Sequence, residues 1–222
     1  MKKDLNIRIF IALFIFFGTL SAFGQQRLTP YGCYAHKESE YNQKYVSKCF
    51  EKILPVESFQ FAYMVLPSFE NEYALSRLRH KDELVLTKSQ GRIWMCSEYK
   101  KGCPIKTKTF SLAVPNSILD SINALFKAAV LSSSYVDYTL GVDGVTYMFM
   151  GGVNGETAAT CWSPYDTLNC ARLVAISERI CKAVETQNAA AIESLLPEIY
   201  ALTKVFRKLL PDGANENAFL WP

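Results

Sequence analysis

Between Phe59 and Pro115 the chain runs through short segments rich in β-branched and aromatic residues, and each gives way to a polar turn. The segments are FQFAYMVLP, YALSRLR, ELVLTKS, RIWMCSEY and TKTFSLAVP, divided by turns such as HKDE, SQG and KKGCP. A parallel return needs a crossover of about a dozen residues, so turns this short predict antiparallel neighbours. Further on, Val145, Tyr147 and Phe149 alternate with Thr146, Met148 and Met150. Large side chains on both sides of one strand suit a central position covered on both faces. Asp143-Gly144 is a turn signal before it, and GGVNG supplies the positive-φ residues of a hairpin, Asn154-Gly155 above all, before ETAATCW returns.

Elsewhere the period lengthens. Tyr41, Tyr45, Cys49, Phe50, Ile53 and Leu54 recur at spacings of three and four and stop at Pro55, which predicts a helix. A second stripe joins Ile118, Leu119, Ile122, Leu125, Phe126 and Val130, with Asn116 as its expected cap. A third joins Cys170, Leu173, Val174, Ser177, Ile180, Cys181 and Val184, with Thr167 as its expected cap. The last segment, AAAIESLLPEIYALTKVFRKLLP, is helical in pattern but must kink or restart at Pro197, which has no amide hydrogen. These readings predict an α+β fold: an antiparallel sheet of about six or seven strands, helices packed on one face, and disulfide stabilisation. No repeat or linker divides it, so residues 25–57 are expected to form a lead-in and helix, residues 58–211 a single domain, and residues 212–222 a tail.

Lys2, Lys3 and Arg8 precede an apolar run from Ile9 to Phe17, and small residues follow at Ala22 and Gly24. Charged start, short apolar centre and small-residue end are the parts of a secretory signal peptide, so residues 1–24 are expected to be cleaved off. The run is shorter than the roughly 20 residues that span a bilayer, and no transmembrane segment is expected in the mature chain. The predicted destination is the periplasm or the medium. Loss of three positive charges and one negative would bring the formal net charge from +3 to +1, too little to attract nucleic acid. Half the residues are hydrophobic, enough to build a core.

All seven cysteines lie beyond the leader, and in an oxidising compartment they read first as disulfides. Cys96 and Cys103 flank the polar turn SEYKKG, and Cys161 and Cys170 flank WSPYDTLN; these are the two candidate bridges, with Cys33, Cys49 and Cys181 unassigned. Cys170 and Cys181 cannot pair, since eleven residues of helix separate them by about 16 Å. An odd count leaves a thiol free for a disulfide-linked dimer. Metal chemistry finds little support, because the Cys33-x-x-His36 spacing has no second half.

Catalytic templates are incomplete. Gly151, Gly152 and Gly155 lead from strand to strand and carry no lysine, unlike a phosphate loop, and no cofactor motif occurs. Cys161-Trp162 resembles the Cys-Trp pair of papain-like proteases, but over two residues only, and both histidines, His36 and His80, lie upstream. The acidic residues around the hairpin, Asp143, Glu156 and Asp166, and the thiol of Cys161 are the candidates for a hydrolase site assembled from distant positions. Tyr147, Phe149, Trp162 and Tyr165 are the candidates for lining a groove. The favoured expectation is an exported, non-catalytic binding module for a protein, peptide or glycan, with the hydrolase as its alternative.

Overall fold

The computed structural model describes residues 27–31, 40–55, 58–98, 104–134, 143–151, 157–164 and 167–211. Seven strands form one sheet: β1 (Thr29–Pro30), β2 (Phe59–Pro67), β3 (Tyr73–Leu78), β4 (Glu83–Ser89), β5 (Thr107–Ala113), β6 (Val145–Gly151) and β7 (Thr157–Trp162). Their spatial order is β1-β7-β6-β2-β3-β4-β5. Every pairing is antiparallel, as the short turns require. Among the described residues six helices accompany the sheet: α1 (Glu40–Ile53), α2 (Ile93–Glu98), α3 (Asn116–Leu131), α4 (Asn169–Glu185), α5 (Ala189–Glu193) and α6 (Leu196–Lys208). The chain is α+β.

Register divides the side chains into two sets. Tyr63 pairs with Phe149 and Leu75, and Val65 with Tyr147 and Tyr73, so these residues share one face. On it lie α3 and α4, which bury Ile122, Leu125, Phe126, Leu173 and Ile180, and α6 packs chiefly on α3 and adds Leu202 and Phe206 to the same core. Phe126 meets Phe61 and Phe149 edge to face at centroid distances of 5.1 and 5.3 Å, a geometry that sets ring edges against the negative faces. Ala62, Met64, Ala74, Met148 and Met150 point the other way and form a second core with Val46, Cys49 and Ile53 of α1 and Ile93 of α2. Helices therefore cover both faces, correcting the expectation of one. Alternating large residues in β6 already demanded two covers.

Within the segment RIWMCSEY, Ile93–Glu98 is helical rather than extended. The carboxylate of Glu72 accepts the backbone amides of Ile93 at 2.8 Å and Trp94 at 3.0 Å, so a residue from another element satisfies the orphan donors of the first turn of α2. Two expected caps are also replaced. Asn116 opens α3 after Pro115 without capping it, and its side-chain oxygen instead accepts from Arg77 at 2.8 Å. Leu168 stands at the N-cap of α4 with no side-chain bond, while Thr167 is exposed. Pro197 ends one helix and starts the next: α5 stops at Glu193 and α6 carries the proline in its first turn.

The sheet edges differ in length and chemistry. β1 is two residues long and contains Pro30, and Leu28 before it is fully buried in the larger core. β5 exposes Thr107, Lys108 and Thr109, and the Lys108 ammonium lies 4.7 Å from the centre of the Phe110 ring. Among the described residues, no helix is long and apolar enough to cross a membrane.

Candidate functional site

Register sends Tyr147 and Phe149 to the face of α3 and α4, and Trp162 to the opposite face. The three aromatics singled out in the hairpin therefore line no common groove. Phe149 is fully buried, its ring held between Tyr63 and Phe126. Trp162 is half-buried and lies over Gly144, where an added Cβ would come within 2.4 Å of the indole. Gly144 is thus glycine because a ring occupies the side-chain space. Its carbonyl and amide are both engaged by Ser68 Oγ, which donates at 2.8 Å and accepts at 3.2 Å.

Tyr147 is the member left half-open. Its ring lies parallel to that of Tyr63, 6.2 Å between centroids and 2° between planes. Beside the pair sits Glu178, projected from the edge of the apolar stripe of α4. Tyr63 donates its hydroxyl to Glu178 Oε1 at 2.6 Å, and Tyr73 donates to the same carboxylate at 2.7 and 2.8 Å. Lys88 flanks the group, 5.7 Å from the Tyr73 ring centre and 2.9 Å from Glu185 Oε1. Burial first, and the Glu178 charge second, push the Tyr63, Tyr73 and Tyr147 hydroxyls above the usual tyrosine range. Glu185 moves the other way, held below the carboxylate range chiefly by its bond from Lys88.

Chemically this is a fixed acceptor ringed by protonated hydroxyls. Such tyrosines donate but do not act as bases, and Glu178 already has both oxygens occupied. Glu70, which follows the exposed Phe69, also acts electrostatically on Tyr147. The patch therefore offers an aromatic face and a carboxylate held by two hydroxyls to an incoming group. Only Tyr147 of it was legible as a candidate; Glu178, Tyr63, Tyr73 and Lys88 were missed, because their meeting depends on strand register.

The other candidates are placed as follows. Asp143 is exposed in the bend before β6 and makes no hydrogen bond or ion pair among the described residues. Glu156, Asp166 and Tyr165 lie outside the described residues, as do Cys33, Cys103, His36, the leader and the tail. Cys161 and Cys170 are brought together as thiols: both are free and buried, and they hydrogen-bond to each other. That bond and burial raise the Cys161 pKa well above the thiol range, which leaves it a poor nucleophile. Cys181 is buried near Glu178 and is raised by burial first. Cys49 is buried beside Tyr45 and Glu72 and is likewise raised by burial first, then by the carboxylate.

Glu72 itself was not anticipated. Fully buried, it accepts from Tyr45 Oη at 3.0 Å and Ser89 Oγ at 3.3 Å besides the two amides of α2. With four donors around it, its role is to hold α1, α2 and the sheet together. No group of three His, Cys, Asp or Glu residues suited to a metal ion occurs among the described residues. Set against known protein families, characterised proteins and solved structures, the chain matches none of them.

Proposed function

We propose that this chain is an exported, non-catalytic module that binds a protein, peptide or glycan through the patch of Tyr147, Tyr73 and Glu178. The observation that carries the reading is the half-open Tyr147 ring, stacked on Tyr63 beside a carboxylate held by two hydroxyls. Aromatic faces with a fixed polar group beside them are a recurrent recognition surface, because ordering them costs little further entropy on binding. Export is supported by the charged, apolar and small-residue order of Met1 to Gly24. A disulfide between Cys96 and Cys103, seven residues apart, belongs to the same proposal, since an oxidising destination would permit it.

The test is an array of immobilised glycans and peptides probed with the mature chain and with Tyr147→Ala. Saturable binding that the variant loses, while its circular dichroism and cooperative melting show it folded, is the expected result. Turnover of chromogenic glycoside, ester or amide substrates would instead favour a hydrolase built from Asp143, Glu156, Asp166 or Cys161. Binding by the variant equal to that of the parent would remove the patch from the reading.

A further inference from the structure

We infer that Cys161 and Cys170 form a dithiol that closes to an intramolecular disulfide when the chain folds in an oxidising medium. Cys161 lies one residue before the end of β7 and Cys170 is the second residue of α4, so the bridge would close a ten-residue loop. Their side chains already hydrogen-bond, and both lie in the larger core. Among the described residues neither thiol bonds to another side chain, so bond formation would leave no buried polar group of these residues stranded. The inference is independent of the Tyr147 patch.

Closure needs a partner that accepts electrons, here a low-molecular-weight or protein disulfide. A thiolate from one cysteine attacks that disulfide, forming a mixed disulfide and expelling one thiolate. The second cysteine then attacks the sulfur of the first and expels the other. The two cysteines lose two electrons and two protons overall, and the oxidant leaves as two thiols. Burial shields both sulfurs in the finished fold, so the reaction belongs to the folding chain. Once formed, the bond is shielded from reductant for the same reason.

The experiment refolds the reduced full chain with and without a glutathione disulfide and glutathione mixture, followed by acid quenching, alkylation, proteolysis and mass spectrometry without reduction. A linked peptide pair holding Cys161 and Cys170 is expected with the oxidant, while Cys49 and Cys181 remain alkylatable after denaturation. The oxidised protein should melt about 5–10 °C above the reduced one, from the loop closed and the chain length. Cys170→Ala should abolish both the linked pair and this difference; should it fail to fold, Cys161→Ala serves the same purpose. Chain isolated directly from an oxidising compartment gives the same peptide readout without refolding. Recovery of Cys161 and Cys170 as separately alkylated residues, or of Cys161 linked to any other cysteine, would overturn the inference.

Discussion

The two faces of the sheet are held by different means. On the face of α3, α4 and α6, interlocked aromatic rings and aliphatic stripes exclude water over a broad area, with Glu178 and Lys88 beside the tyrosines and a buried Arg77 held by Asp120 and Asn116 of α3. On the face of α1 and α2, small and flexible residues such as Ala62, Ala74, Met64 and Met148 meet a short helix, and a buried carboxylate lies within the layer. The first face needs shape; the second needs Glu72. A six-residue helix cannot sustain itself through its own hydrogen bonds, so α2 depends on an acceptor from β3's approach, whereas α3 and α4 are long enough to persist by packing.

That contrast can be broken at either face. Phe126→Ala, removing the ring between Phe61 and Phe149, should cost about 3–5 kcal/mol in urea unfolding and lower the melting temperature of the whole domain. Glu72→Ala should cost about 3 kcal/mol, because it strands the two amides of α2 and the Tyr45 hydroxyl. Hydrogen exchange separates the two: Glu72→Ala should release the α2 amides selectively, whereas Phe126→Ala should accelerate exchange across the sheet. Uniform acceleration in both variants would mean that the faces are one cooperative unit.

Smaller substitutions sharpen the margins. Gly144→Ala must move the Trp162 ring and should cost about 1–3 kcal/mol, with a change in tryptophan fluorescence as its direct readout. Tyr73→Phe should cost about 1 kcal/mol at neutral pH by removing one donor from Glu178. It should also flatten the alkaline limb of stability. Folding raises the Tyr63 and Tyr73 pKa, so above about pH 10 the unfolded chain has released protons that the folded chain retains. Stability is therefore complete below about pH 10 and falls as pH rises, by up to about 1.4 kcal/mol per pH unit for each such group. An alkaline slope unchanged by Tyr73→Phe would remove that hydroxyl from the account.

Much of the larger face was legible in the sequence, because its helices carry long stripes and its strands are joined by short turns. The period-3.6 residues of α3 and α4 are those buried in the structure, from Ile118 to Phe126 and from Cys170 to Val184. The smaller face was harder. RIWMCSEY is too short for its period to tell helix from strand, and what decides between them is Glu72, 21 residues before Ile93. The same limit hid most of the site: Glu178 lies 105 residues from Tyr73 and 115 from Tyr63, a distance that only register brings to zero. Cys161 and Cys170, expected as a bridge across one short connection, stand in the structure as free thiols.

Both borders of the sheet resist growth. At one, Pro30 brings no amide hydrogen; at the other, β5 carries the exposed Lys108, a charged edge residue of the kind that discourages strand addition. A partner that extended the sheet backbone to backbone would meet an obstacle on either side. Recognition by this molecule should therefore run through side chains on its surface, and an extended peptide docking as an eighth strand is the mode of association its architecture disfavours most.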